Sequence, residues 1–294
     1  MKKIDLLIGV AIMCLWGFNF SVIKLGVNHL DPLVLTALRF FFASVPLVFF
    51  IKRPKVKWRY LIGYGLTFGV GVWGMATWAI ELGLSAGLAS LLLNVSVVSS
   101  LLLGWFFLNE SITLNKSLGA GLALLGLFII ITIEGGSISW SGFMLILVAS
   151  TFWSINGLVV KWANTTSIFA FNIWAMLFAP IPLLMLAWLT HGAEVVTQLF
   201  THLNQSAVFS VLFQAYPTTL LGYWVWNKLI MKYTLSTVAP LTLLVPIFGL
   251  LGGFIFYDES IVNSQIMAAL LIISGLFISQ MNGFRVNQRD KPVE

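Results

Sequence analysis

Charged residues are scarce in this sequence of 294 residues. Asp, Glu, Lys and Arg make up 9% of the chain, whereas hydrophobic residues make up 59% and the mean hydropathy is +0.98. A soluble domain carries roughly 25% charged residues, because it needs them to cover its surface. The scarcity therefore argues against a water-soluble fold and favours an integral membrane protein.

Residues that commonly carry catalysis are also scarce. The one cysteine, Cys14, has no partner for an intrachain disulfide, and His29, His191 and His202 fall in predicted loops between apolar runs. The sequence has neither a His-Glu-x-x-His zinc motif nor a Gly-x4-Gly-Lys phosphate loop. We predict no catalytic residue, no metal and no cofactor, so a polytopic membrane enzyme is the least favoured function.

Ten apolar runs are long enough to cross a bilayer, which takes about 20 residues per helix. Lipid offers no hydrogen-bond partner to unpaired backbone N–H and C=O groups, so each run is predicted to be a helix. The predicted fold class is therefore all-α integral membrane, with ten transmembrane helices. The runs cover approximately residues 4–24, 32–51, 59–80, 84–107, 116–133, 141–161, 168–189, 206–228, 236–257 and 264–282.

The basic residues predict an orientation. If the N-terminus is cytoplasmic, fourteen of the sixteen Lys and Arg residues fall at cytoplasmic ends or loops, whereas Lys24 falls on the other side and Arg39 inside the second span. We expect both termini to be cytoplasmic, with a tail over residues 285–294. The net charge of +6 lies in short loops beside apolar runs, so membrane lipids rather than nucleic acid are the expected partner.

The two halves of the chain share motifs in the same order, which indicates an internal duplication. Because five helices is an odd number, the second copy would lie upside down, as a 5+5 inverted repeat over residues 1–134 and 135–284. Inverted repeats are common in secondary transporters, with the substrate site between the repeats. The first pair is Trp16-x-x-Asn19-x4-Lys24 and Trp153-x-x-Asn156-x4-Lys161, at an offset of 137 residues. The second pair is Asn109-Glu110-Ser111-Ile112 and Asp258-Glu259-Ser260-Ile261, at an offset of 149 residues. The third pair, Gly126-Leu127-Phe128-Ile129 and Gly275-Leu276-Phe277-Ile278, has the same offset of 149 residues.

Arg39 is the clearest charge at membrane depth, where a charge costs roughly 2.5–3.5 kcal/mol on insertion scales. One hypothesis is that Arg39 binds a substrate carboxylate or neutralises the charge of an acidic relay residue. The alternative is a structural role, in which it snorkels or ties helix ends through carbonyls. Lys24 and Lys161 end their spans, so the same two interpretations stay open for them.

Polar and aromatic side chains inside the predicted spans are the candidates for substrate binding. A buried amide needs hydrogen-bond partners, which a cavity with substrate would supply. Hydrogen bonds between helices are the alternative for the amides, and ordinary packing is the alternative for the tryptophans. The candidates are Trp16, Asn19, Arg39, Trp73, Asn94, Trp153, Asn156, Gln214, Tyr216 and Tyr223.

The chain resembles the EamA-type, ten-helix branch of the drug/metabolite transporter superfamily over essentially its whole length. The segments that carry this resemblance are Trp16-Gly17-Phe18-Asn19-Phe20, Lys24-Leu25-Gly26, Pro32 with Arg39-Phe40, Ala86-Gly87-Leu88-Ala89-Ser90, Asn109-Glu110, Val238-Ala239-Pro240-Leu241 and Asp258-Glu259-Ser260. Further segments are similar to exporters of cysteine and O-acetylserine: Lys52-Arg53-Pro54-Lys55-Val56, Gly63-Tyr64-Gly65-Leu66-Thr67, and residues 239–246.

The resemblance implies a multi-pass protein of a bacterial inner membrane that exports small amino acids and their derivatives from a central cavity. It also implies protons as the coupling ion. The sequence departs from those exporters where they carry glutamines in the third and fourth helices, since Val72-Trp73-Gly74-Met75 and Asn94-Val95-Ser96 occupy these stretches.

The leading hypothesis is a secondary transporter that exports small metabolites, such as cysteine or O-acetylserine, by alternating access. An exporter of drugs or aromatic compounds is the alternative within the same superfamily.

Overall fold

A computed structural model describes residues 2–108, 114–134, 139–197, 203–232, 241–242 and 244–286. Throughout these residues the regular structure is helical, as predicted. Three helical segments among them are long and apolar enough to cross a membrane, and they coincide with the first, sixth and seventh predicted spans: Lys3–Val27, Trp140–Ala163 and Ile168–His191, the last of which is divided before Pro180. The count of ten spans and the inverted repeat stay predictions.

Several predicted spans are interrupted helices rather than single rods. The third span comprises α3, π1 and α4, and the fourth is divided at Asn94 and Val95 into α5 and α6. In the first half, the helices are α1 (Lys3–Val27), α2 (Pro32–Val48), α3 (Trp58–Gly65), the π-helix π1 (Leu66–Gly74), α4 (Met75–Glu81), α5 (Ala86–Leu93), α6 (Ser96–Leu108) and α7 (Leu114–Glu134).

The second half of the chain also contains interrupted helices. Its seventh predicted span breaks before Pro180, and its eighth contains a second π-helix. Its helices are α8 (Trp140–Ala163), α9 (Ile168–Met176), α10 (Pro180–His191), α11 (Glu194–Thr197), α12 (Gln205–Phe213), π2 (Gln214–Gly222), α13 (Tyr223–Lys232), α14 (Leu244–Tyr257) and α15 (Asn263–Val286). The Asn109-Glu110-Ser111-Ile112 motif, His202, Val238-Ala239-Pro240 and residues 287–294 lie outside the described residues.

The helix starts follow local sequence signals. Asp31 caps α2 by accepting hydrogen bonds from the backbone N–H groups of Leu33 (2.9 Å) and Val34 (3.0 Å), and Pro32 provides the first residue of this helix. Ser85 caps α5 and Ser139 caps α8 in the same way. His191, expected in a loop, is the last residue of α10.

The two π-helices are nine residues each, and π2 begins 148 residues after π1. π2 contains Pro217, whose ring removes a backbone donor and clashes with the carbonyl four residues earlier, which disfavours a regular α-helical turn there. π-helical stretches are rare and are frequently found at functional sites. Both stretches contribute side chains to the site described below.

Helix α1 lies at the centre of the packing, against α14, π2, α12 and α5, while α7 and α15 pack together. Close approach depends on glycine. A Cβ atom added at Gly249 of α14 would collide with the Ser90 hydroxyl of α5, which is itself bonded to the Gly87 carbonyl at 2.7 Å. Glycine at this position therefore lets the two helices touch.

We expect Gly249→Ala to destabilise the fold by about 1–3 kcal/mol, because the added methyl group overpacks the contact between α14 and α5. The measurement is the thermal unfolding midpoint of the purified protein in detergent. Gly157→Ala in α8 is the matched control, since a Cβ atom there meets nothing within 4 Å. An equal fall in both midpoints would contradict the packing argument.

Candidate functional site

The structure brings most of the predicted site residues into one buried region. Arg39 from α2 lies at its centre, with π1 and π2 on either side and α1 and α8 contributing further side chains. The candidates that lie in or directly beside this region are Trp16, Asn19, Arg39, Trp73, Trp153, Gln214 and Tyr223.

The Arg39 side chain is fully buried, with 0% of its surface exposed. Its Nε atom donates to the Thr219 hydroxyl at 2.8 Å, and Nη1 donates weakly to Gln214 Oε1 at 3.5 Å. Its guanidinium carbon lies 4.1 Å from the centre of the Trp73 ring, which gives a cation–π contact. Among the described residues, no carboxylate lies within salt-bridge distance of Arg39.

Four aromatic rings form a closed group beside Arg39, here called the aromatic cluster: Phe68, Trp73, Trp153 and Tyr223. Phe68 is closest to Tyr223, with ring centres 4.9 Å apart, and lies 6.4 Å from Trp73 and 6.3 Å from Trp153. Trp153 lies 6.4 Å from both Trp73 and Tyr223. These rings provide a rigid, water-excluding wall with several π-faces.

Three polar atoms at the edge of this cluster have no hydrogen-bond partner within the described part of the chain. They are Arg39 Nη2, Trp73 Nε1 and the Tyr223 hydroxyl, here called the donor triad. The Tyr223 hydroxyl is near both the Trp73 indole nitrogen and the Arg39 guanidinium, but it forms a hydrogen bond of normal geometry with neither of them. A buried donor left unpaired costs about 1–3 kcal/mol, and more when it is charged.

A second set of hydrogen bonds fixes π2 against α1. Trp16 Nε1 donates to the Thr218 carbonyl at 3.2 Å, and the Thr218 hydroxyl donates to Asn19 Oδ1 at 3.1 Å. The Asn19 amide nitrogen is buried without a partner among the described residues. A Cβ atom at Gly222 would lie 2.5 Å from the Trp16 indole nitrogen, so glycine is needed for this contact.

The amide of Gln214 links the site to α1 by a further route. Its Nε2 atom donates to the Ser210 hydroxyl at 3.0 Å, which in turn donates to the Val22 carbonyl at 2.7 Å. This series of hydrogen bonds connects Arg39 to α1 through Gln214 and Ser210.

Three predicted site residues lie elsewhere. Asn94 bonds to the Ser90 carbonyl at the end of its own helix (2.9 Å), and Asn156 donates to Thr67 at 3.1 Å, so each has a partner within the protein. Tyr216 is 39% exposed. It lies about half a turn from Gln214 and Thr218, which are four residues apart and share the inner face of the helix.

Sequence reasoning missed Phe68 and Ser210. Phe68 is one of 24 phenylalanines, and nothing in the sequence separates it from those that face lipid. Ser210 lies four residues before Gln214, so helical spacing places both on one face.

Ion pairs occur at both ends of α1. Lys24 Nζ lies 2.6 Å from Glu259 Oε1, just beyond α14, and over the Tyr257 ring. At the other end, Lys232 of α13 lies 2.7 Å from Asp5 Oδ2. Lys24 lies 19 positions after Asp5, which corresponds to about 30 Å of helix.

A further polar contact lies at the same end of α1 as Lys24. His191 Nδ1 contacts Asp31 Oδ2, so this carboxylate joins the end of α10 to the start of α2. Lys161 is exposed near the end of α8.

A helical protein of this hydrophobicity, with polar and charged side chains buried between its helices, is typical of membrane transporters. The EamA-like transporter family matches residues 3–132 and again 140–281, and the chain belongs to this family. It is therefore a membrane protein, and the resemblance found in the sequence is confirmed.

Two relatives are similar over nearly their whole length. A "Probable amino-acid metabolite efflux pump" of Salmonella typhimurium is 35% identical over 98% of both chains, and a protein of the same name from Escherichia coli is 32% identical over 95% of both. A crystal structure of a protein that is 15% identical superimposes with a TM-score of 0.67, covering 97% of this chain and 99% of the other, which shows a shared fold.

We expect Lys24 and Glu259 to be energetically coupled, since both are partly buried and in direct contact. A double-mutant cycle of Lys24→Met and Glu259→Gln should give a coupling energy of about 0.5–2 kcal/mol in denaturant unfolding. Lys52→Met, which changes an exposed loop residue, should not couple to Glu259→Gln. Additive effects of Lys24→Met and Glu259→Gln would contradict the coupling.

Proposed function

We propose that this protein exports small amino acids and related metabolites, and that Arg39 binds their carboxylate. The observation that carries this proposal is the donor triad beside a buried guanidinium without a carboxylate partner in the described residues. Three neighbouring unpaired donors, one of them charged, suit a carboxylate oxygen pair. The names of the two relatives support the same substrate class.

The ammonium group of an amino acid would lie against the aromatic rings. Cations are attracted to the faces of Trp and Tyr rings within about 6 Å of the ring centre, most strongly where water is excluded. Trp16 lies 4.7 Å from Tyr223, and Trp153 adds a further face. The site thus favours small zwitterions, of which cysteine and O-acetylserine are the expected examples.

The proposed transport cycle uses ten transmembrane helices in a 5+5 inverted repeat. The near-constant spacing of the shared motifs and the 148-residue offset of the two π-helices support this arrangement. We place the side with Asp5 and the Lys52–Lys57 loop in the cytoplasm of a bacterial cell, because basic loops are retained there. Both termini are then cytoplasmic.

During alternating access, the contacts at one end of α1 would open while the contacts at its other end stay formed. The Lys24–Glu259 pair and the Lys232–Asp5 pair are suited to these two closures, since they join α1 to the second half of the chain at opposite ends.

We further propose that export of the substrate is coupled to exchange with protons. An export rate that does not change with the pH gradient across the membrane would contradict this coupling.

Export of aromatic compounds or drugs is the second candidate function, favoured by the aromatic cluster. Competition distinguishes the two functions. An aromatic cation should compete with amino acids in the second case, whereas zwitterions alone should compete with one another in the first.

We expect Arg39→Lys to reduce amino-acid export about 10–100-fold, because loss of a hydrogen bond to a charged group costs about 1.5–3 kcal/mol. The measurement is efflux of labelled cysteine or O-acetylserine from liposomes that contain the purified protein. Lysine keeps the charge but not the planar group of donors.

Arg59→Lys is the matched control, since Arg59 is exposed and contacts only the neighbouring Tyr60 among described side chains. Its export should equal that of the unchanged protein. Full export by a folded Arg39→Lys variant would overturn the carboxylate assignment, and absence of export by the unchanged protein would overturn the proposed function itself.

A further inference from the structure

A cleft of about 870 Å³ lies at the side of the helices, apart from the central site. The end of α2, the start of α9 and the end of α13 form its walls. Its lining is apolar at Ile51, Phe169 and Trp224 and basic at Lys228 and Lys232, and it includes Thr166. The Trp174 indole nitrogen donates to the Ile51 carbonyl at 2.9 Å and fixes α9 against the end of α2.

The cleft faces outward because of the helical register of α13. Trp224, Lys228 and Lys232 are spaced by four residues and share one face of this helix. Tyr223 and Trp226, whose side chains are buried, lie on the opposite face and point to the central site. A molecule in the cleft would therefore contact the membrane rather than the proposed transport path.

Lys228 lies at the basic end of the cleft. Its Nζ atom lies 3.6 Å from the centre of the Trp224 ring, and it has no acidic partner within the described residues. Lys232 forms an ion pair with Asp5, and its side chain remains half exposed. Lysine above an apolar wall at the membrane surface is suited to a phosphate group whose attached chains enter lipid.

We propose that this cleft binds an anionic phospholipid of the cytoplasmic leaflet. Its phosphate is held by Lys228 and Lys232, and an acyl chain lies along Ile51, Phe169 and Trp224. The leaflet assignment rests on the proposed orientation of the chain. The lipid would stabilise the contact between α9 and α13, which the ring pair of Phe169 and Trp224, 5.8 Å apart, also joins.

The test compares lipid binding to the purified full chain in detergent by native mass spectrometry and thermal shift. Phosphatidylglycerol should bind and raise the unfolding midpoint, whereas phosphatidylcholine and inorganic phosphate should not. Lys228→Gln should weaken phosphatidylglycerol binding roughly fivefold, since each basic residue at the membrane surface contributes about 1 kcal/mol. Lys228→Arg should retain it.

Lys55→Gln is the matched control, since it removes one exposed positive charge from the loop between α2 and α3. Equal weakening by Lys55→Gln and Lys228→Gln would overturn the site in favour of diffuse attraction. Equal stabilisation by inorganic phosphate would overturn the lipid in favour of a soluble anion. Amino-acid export by Lys228→Gln in phosphatidylcholine liposomes should match that of the unchanged protein, so this result separates the lipid site from the central one.

Discussion

The buried guanidinium of Arg39 is the constraint on which the site depends. A charge that is removed from both water and lipid needs compensation, and here the described protein supplies two neutral oxygens and the face of an indole ring. These partners fix the side chain but leave one of its nitrogens unpaired. The same arrangement therefore positions the charge and leaves one donor unpaired, as the proposed carboxylate site requires.

The backbone around Arg39 is irregular for a related reason. Both π-helices flank it, and each directs side chains inward at a spacing that a regular α-helix does not give. Thr219 reaches Arg39 from π2, while Trp73 reaches it from π1. Glycines at contacts such as Gly222 with Trp16 permit the neighbouring helices to approach closely enough for these bonds. Site geometry and helix packing are thus parts of one arrangement.

Charge is distributed in a way that serves the membrane and the proposed cycle together. In the proposed orientation, basic side chains lie mainly on the cytoplasmic side, and three described acidic residues, Asp5, Asp31 and Glu259, contact a basic side chain of another element. Because α1 takes part in an ion pair near each end, a tilt of this helix would change both contacts. The lateral cleft adds a third role for charge, since Lys228 faces outward and is not used by the central site.

The helical membrane class, the family and the candidacy of Arg39 could all be predicted from the amino-acid sequence. So few charges cannot cover a water-exposed surface, and a lone charge in an apolar run is costly unless it is used. The sequence also predicted further candidates that the structure brings together around Arg39: Trp16, Asn19, Trp73, Trp153, Gln214 and Tyr223.

Other features became visible only in the folded chain. Tyr216 is partly exposed, whereas Phe68 joins the aromatic cluster. Lys24 pairs with Glu259, which lies 235 residues further along the chain. Such contacts depend on helix register and on packing between distant segments. The π-helical turns shift the register by an amount that the 3.6-residue period does not predict.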